Sequence, residues 1–414
     1  MTAESRPAAS GRIELATFAL PLVFGAAVFA PMLGNRFWRD DHGWIARAMS
    51  ALREPGAFAE VAKTDFRPLP ALSFMADVLM YGLEPAGYYV TNLLLHLACV
   101  ALVTALGWRL SHGDRRAAMI AGLLFAGGFG HHGEAVIWIS GRTGVIADLF
   151  VLAAVLAFDG HLLGRGMRHA ALTVLFALLA LLSKESAAVL PVLLLLVAWA
   201  RAGEDGAGAR ARGPILAVAV LVAAHVALVF GVLRRGSGIV GGEYAFGPHA
   251  VANLLEYLAR LFVPVTPSSV IVAVPAPLAG ALRVAQTALM IAVPLAGAAL
   301  LAGRVPRAVK LGVLWVPVTL APYLFLTFHT ITRYLYLPSV GVALLAGQLA
   351  AFLGRAPRRP VRWAAAVGLA VVLLLEAATI QVVIAARRRD QLAQDPAAMQ
   401  ALVEQARALG FTRR

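Results

Sequence analysis

The stretch IELATFALPLVFGAAVFAPML, residues 13–33, decides the fold. Beyond Glu14 it carries no charge. A helix rises ~1.5 Å per residue, so ~20 apolar residues cross the ~30 Å of hydrocarbon in a bilayer. The run is longer than the apolar core of a cleaved leader, and Pro31 follows the best small-residue cleavage position, Ala30. It is therefore expected to stay in place as a signal anchor. Immediately after it the chain turns to NRFWRDDHGWI, residues 35–45, where Asp40 and Asp41 stand side by side between Trp38 and Trp44.

Working outward, similar runs recur through all 414 residues, of which 60% are hydrophobic and 14% charged. Mean hydropathy is +0.78. About eleven spans are expected, at 13–33, 88–106, 117–130, 144–159, 170–182, 186–200, 214–233, 284–303, 311–328, 334–353 and 363–385. The fold class is thus an all-α polytopic membrane protein. A single cysteine, Cys99, excludes an intramolecular disulfide and a cysteine-based metal site. The abundance of Ala, Gly and Arg matches a GC-rich bacterial source.

The net charge of +14 invites a nucleic-acid reading, and its distribution argues against one. With the N-terminus inside, Lys and Arg are denser in the inner segments 1–12, 107–116, 160–169, 201–213, 304–310 and 354–362, and acids concentrate in the outer ones. That is the positive-inside bias, so the charge encodes topology and nucleic acid is not an expected partner. Two outer segments are long, 34–87 and 234–283. In the first, Trp44, Ile45, Ala48, Met49 and Leu52 form a helical apolar stripe beside Arg47 and Arg53, the pattern of a helix lying in the interface. The apolar stretch 268–282, broken by Pro275 and Pro277, reads as re-entrant. Residues 1–385 are taken as the membrane domain and 386–414 as a polar helical tail.

Ionisable groups at a membrane edge are costly and need a partner or a task. Four clusters fall at outer span ends: Asp40–Asp41, GHHGEAVIWISGRTG (130–144), LSKES (182–186) and FHTITRYLYLPS (328–339). Their gathering on one face points to one shared site. Each has a plainer alternative. The Asp pair could be a solvated loop, the tryptophans an aromatic belt, and Lys184–Glu185 a self-neutralising pair. Tyr88, Asn92 and His96 share a helix face, as either a site or an interhelical seam. His131, His132 and Glu134 lack the spacing that puts two metal ligands on one helix face, so no metal site is assigned, and a role for a divalent metal is left open. GSGIVG (236–241) follows an apolar span and not a strand, and reads as a loop.

In order, FWRDDHGWI, FRPLPALSFMADVLMYGLEPAGYYVTNLLLHL (66–97), HGEAVIWISGRTG, LLSKESAAVLP and TRYLYLPSVGV resemble the GT-C superfamily of polyprenyl-phosphate-sugar-dependent glycosyltransferases. The likeness covers about 15–385 and is greatest to the protein O-mannosyltransferase-like group whose members often carry tetratricopeptide repeats. The chain departs from that group in having Phe129 and Gly130 where a His and a Pro are usual, and Gly144 where an acid often follows the Arg. Asp148, one helical turn on, is expected to face Arg142 instead.

The resemblance implies a GT-C-like bundle with interfacial helices in the first outer loop. It implies transfer of a sugar from a polyprenyl-phosphate donor to a hydroxyl of a protein, glycan or lipid acceptor, with inversion, in contact with membrane lipid. The setting would be a bacterial inner membrane, N-terminus cytoplasmic and active face periplasmic. Asp40 is the expected general base, with Asp41 assisting; two adjacent carboxylates raise each other's proton affinity. Arg333, Lys184 and Arg142 are expected on the lipid phosphate. His132, Glu134, Asn92 and His96 are expected to position substrate. The rivals are a transporter or flippase of lipid-linked intermediates, which would place charge at the bilayer midplane, and a non-catalytic scaffold.

Overall fold

The computed structural model describes residues 15–54, 56–58, 66–128, 132–232, 243–262, 276–328, 330–393 and 396–411. His131, the GSGIVG loop and the first part of the 268–282 stretch lie outside the described residues. In chain order the helices are α1 (Leu15–Phe29), α2 (Asp40–Arg53), α3 (Pro68–Tyr81), α4 (Pro85–Leu110), α5 (Arg115–Gly127), α6 (His132–Val136), α7 (Arg142–Leu162) and α8 (Met167–Leu181). They continue as α9 (Leu190–Ala200), α10 (Ala207–Val226), α11 (His249–Arg260), α12 (Ala276–Ala302), α13 (Arg307–Leu324), α14 (Tyr336–Gly354), α15 (Arg359–Leu392) and α16 (Pro396–Ala408).

Each of the eleven expected spans falls on a helix. Seven described helices are long and apolar enough to cross a membrane: Leu15–Gly34, Pro85–Leu110, Ile139–Leu162, Ala207–Gly231, Gly280–Ala302, Thr332–Gly354 and Arg359–Leu392. The helices at the other four positions are shorter or broken by proline. α5 has 13 residues, about 20 Å of rise, too short to span alone. It has no need to, because nearly all of it is buried among α1, α4 and α14. α13 carries Pro317 and Pro322 inside it.

Local chemistry accounts for the ends of the central helix. The Asp114 carboxylate caps α5 by accepting from the Arg116 and Ala117 N–H groups at 2.9 and 3.3 Å. Gly128, at φ +60, closes the other end in the left-handed region. Small residues let helices approach without a hydrophobic driving force. A Cβ on Gly341 of α14 would lie 2.5 Å from the Gly312 carbonyl oxygen of α13.

Among the described residues, the first outer loop holds α2 and α3. The apolar stripe of α2 is buried at Trp44, Ile45, Ala48 and Met49, as its spacing predicts. Protein covers it, since α3 and the C-terminal α16 pack on α2. The expected boundary at 385/386 falls inside α15, which runs unbroken for 34 residues, about 51 Å of rise, well beyond one bilayer core.

Candidate active site

At the end of the bundle where α2 lies, a cavity of about 930 Å³ opens between the helices. All four polar clusters contribute to its wall: Asp40; Trp138, Ser140, Gly141 and Thr143; Lys184, Glu185 and Ser186; Phe328, Arg333, Tyr334 and Tyr336. Arg47, Arg67, Asp148, His225, Glu243, Tyr244 and Tyr323 add to the polar lining. Asp40, exposed to the cavity, is the first residue of α2.

The two adjacent aspartates have opposite surroundings. Asp41 is 0% exposed and accepts from the Trp38 N–H at 2.8 Å, the Ser140 N–H at 2.9 Å and the Ser140 hydroxyl at 2.6 Å. It bolts the start of α2 to the Ile139–Gly141 turn. Burial pushes its carboxyl up to about 6 although those three donors pull the other way. Asp41 thus shapes the site from behind, and Asp40 alone of the pair meets the cavity. The residue between Trp38 and Asp40, Arg39, sits at φ +48. Such a conformation in a non-glycine residue costs about 1–3 kcal/mol and persists only where neighbours enforce it.

Lys184 and Arg333 converge on one aromatic ring. The Lys184 Nζ lies 5.1 Å from the Tyr334 ring centre and 5.6 Å from that of Tyr323, and these two rings stack at 4.0 Å. The Arg333 guanidinium lies 5.0 Å from the same Tyr334 ring and 5.2 Å from Trp138. Burial, with Arg67 nearby, pushes the Lys184 ammonium below its ordinary range. Arg333 is 28% exposed, and its closest carboxylate oxygen, on Glu134, is 3.6 Å away. Arg67, which sequence reasoning did not single out, pairs with Glu185 at 2.9 Å, and both line the cavity. Its position in FRPLP, just ahead of a membrane-edge helix, was the available signal.

Arg142 is placed differently from the expectation. It is 0% exposed and absent from the cavity wall. Its Nε donates to Asn92 Oδ1 at 2.8 Å, Nη1 to the Ser73 hydroxyl at 3.1 Å and to the Asp77 carboxylate, and Nη2 to the Tyr88 carbonyl at 2.8 Å. Four of its five N–H groups are taken up in this way, and the side chain does not reach the cavity. The acid that faces it is Asp77 of α3, not Asp148, which instead lines the cavity. Asp77 was legible as the one acid in an otherwise apolar helix, which requires a buried partner.

The four residues expected to position substrate are absent from the cavity wall and bond to protein groups. Asn92 Nδ2 donates to the Val136 and Trp138 carbonyls at 3.0 and 3.1 Å. His96 Nε2 donates to the Ala126 carbonyl at 3.1 Å, which leaves Nδ1 to accept from the Tyr336 hydroxyl at 2.8 Å. His132 Nε2 and the Ser339 hydroxyl share a 2.9 Å hydrogen bond. Glu134 accepts from the Thr332 hydroxyl at 2.6 Å and the Arg333 N–H at 3.2 Å, fixing the turn that carries Arg333. The turn after α6 is folded so tightly that a Cβ on Gly141 would lie 2.5 Å from the Ala135 carbonyl oxygen. Among the described residues, no three His, Cys, Asp or Glu side chains gather as metal ligands.

Fold and composition together define an all-α polytopic membrane protein. Over part of its length the sequence is similar to curated protein O-mannosyl-transferases. It is 33% identical over 165 residues to protein O-mannosyl-transferase Tmtc1 of Drosophila melanogaster, a match covering 40% of this chain and 17% of that protein. Over 103 residues it is 43% identical to tmtc2 of Xenopus laevis and 40% identical to TMTC2 of Homo sapiens, 24% of this chain and 12% of each relative. The match thus takes in less than a fifth of any of these relatives' length. No family model matches the chain. Among solved structures, ArnT from Cupriavidus metallidurans bound to undecaprenyl phosphate has the same fold, with TM-score 0.53 and 14% identity over 94% of this chain and 78% of that one.

Proposed function

We propose that the chain is a membrane glycosyltransferase that moves a sugar from a polyprenyl-phosphate donor to an acceptor hydroxyl at the periplasmic face. The observation that carries this reading is the cavity with Asp40 on one wall and the Lys184–Arg333 pair, joined through Tyr334, on another. An acceptor hydroxyl is a poor nucleophile until a base takes its proton as the bond forms. Asp40 takes that proton, the acceptor oxygen bonds to sugar C1, and the C1–O bond to the lipid phosphate breaks with inversion. The departing phosphate gains charge, which Lys184 and Arg333 meet, with Arg67 beside them. The Lys184 ammonium, with Arg67 and Arg333 nearby as well as Glu185 and Asp148, gains from such an anion. Arg333 supplies the planar fork for phosphate oxygens and Lys184 a point charge. Arg142, Asn92, His96, His132 and Glu134 act one step away, by holding the wall segments in register. The likeness to O-mannosyltransferases, and the undecaprenyl phosphate named with ArnT, support this choice of donor class.

The test is transfer of radiolabelled sugar from polyprenyl-phosphate-linked donors by the purified protein in lipid nanodiscs. Transfer is expected, and Asp40→Asn should lower it about 100- to 10,000-fold while leaving the protein folded. Absence of transfer from every such donor would overturn the reading in favour of a carrier or scaffold. Full activity in Asp40→Asn would remove the base assignment.

A further inference from the structure

Asp40 opens α2, and residues 35–38, just before it, have no regular structure of their own. None of the described residues hydrogen-bonds the Asp40 carboxylate, so its place is inherited from the backbone that leads into the helix. That backbone is held from the far end of the chain. Gln391, buried near the end of α15, accepts from the Arg36 N–H at 2.9 Å and donates to the Arg36 carbonyl at 2.6 Å. The same amide donates to the Tyr89 hydroxyl at 3.1 Å, and that hydroxyl donates to the Arg36 carbonyl at 2.9 Å. Arg388 donates to Asn35 Oδ1 at 3.2 Å and to the Pro31 carbonyl at 3.0 Å. The Arg387 guanidinium lies 3.5 Å over the Trp38 ring. Beyond α15, Gln405 of α16 donates to the Ala46 carbonyl and the Ser50 hydroxyl of α2, both at 3.1 Å.

We propose that the C-terminal residues 387–393 and 396–411 position Asp40, with Gln391 as the positioning residue; this rests on the reading of Asp40 as the base. A side-chain amide that pairs with both backbone groups of one residue fixes that residue in two directions. Here the fixed residue is four positions before Asp40, and the strained Arg39 lies between them. A reacting group displaced by about 1 Å can lose about 100-fold in rate. The segment therefore acts on turnover and not on capture of the donor, because Lys184 and Arg333 sit on other elements.

The experiment uses full-length variants in nanodiscs, with Gln381→Ala as the control. Gln381 lies on the same helix and donates to the Val28 carbonyl at 2.8 Å, so it ties α15 to α1 without touching 35–41. Gln391→Ala should lower kcat about 10- to 100-fold with the donor KM within about twofold of wild type, and Gln381→Ala should not. Independently of activity, Gln391→Ala should speed amide hydrogen exchange at residues 36–41, and Gln381→Ala should leave that stretch protected. Equal kcat losses in both variants, or unchanged exchange at 36–41 in Gln391→Ala, would overturn the positioning role. Altered exchange in a protein whose wild type transfers no sugar would keep the clasp and remove the catalytic reading instead.

Discussion

Asp40 and Asp41 look alike in sequence, and only burial separates them. The membrane-edge position and flanking tryptophans made the pair legible as a candidate site, but spacing alone does not say which carboxylate turns inward. The three donors around Asp41 give a direct test. Asp41→Asn keeps an oxygen for Ser140 and places an NH₂ or nothing before the Trp38 N–H, leaving a buried donor unmatched at a cost of about 1–3 kcal/mol. The pH dependence follows from the raised carboxyl. Its folded value, about 6, lies above its ordinary 3.8, so the native state binds the extra proton and gains stability as pH falls from about 7 towards 4. The asparagine variant has no such proton to bind. The gap in thermal midpoint between wild type and Asp41→Asn should therefore widen on going from pH 7 to pH 5. A gap that stays constant or narrows would mean that Asp41 is ionised throughout. At the opposite wall, Arg333→Lys keeps the charge and loses the fork, so donor use should fall while thermal stability holds. Unchanged donor dependence in Arg333→Ala would leave Lys184 as the phosphate ligand.

At the level of elements, hydrophobic periodicity made the helices legible and polar residues on them were harder to assign. Arg142 shows why. In sequence it follows a Gly at a helix start near other charged groups, which reads equally well as a phosphate ligand or a buried strut. The decision depends on α3, sixty-odd positions earlier, whose Asp77 reaches it only after the chain has folded back. Cross-element pairing of this kind leaves no local spacing pattern. It predicts that Arg142→Lys, which cannot serve Asn92, Ser73, Asp77 and the Tyr88 carbonyl together, destabilises the protein. Breaking a buried pair of this kind costs on the order of 3–5 kcal/mol. Asp77→Asn should do likewise, and the double variant should be less damaged than the sum, since each single change already strands the same network. Thermal unfolding in detergent would report this. A stable Arg142→Lys protein with selectively poor donor use would return Arg142 to the phosphate site. Asp148→Asn belongs to the other class and should alter activity without a loss of that size, because Asp148 faces the cavity.

For the whole molecule, the strongest sequence signal was the sidedness of its charge. The cavity takes its polar residues from one end of the bundle, and the opposite end carries Arg109, Arg201 and the buried Asp159 that both of them meet, at 3.4 and 2.8 Å. α15 joins the two ends and, at 34 residues, is longer than one bilayer core; near its end on the cavity side Gln391 grips Arg36. If basic residues mark the cytoplasmic end, the cavity end faces the periplasm. Cysteines placed one at a time in a Cys99→Ser background decide this. Glu84 is exposed just before α4 on the cavity side, and Arg168 is exposed at the start of α8 on the other. Glu84→Cys should react with a membrane-impermeant maleimide in intact spheroplasts, and Arg168→Cys only after permeabilisation. The reverse pattern would turn the cavity towards the cytoplasm. The donor would then have to be presented from the opposite leaflet, and the assignment of the acceptor to the periplasm would fall with it.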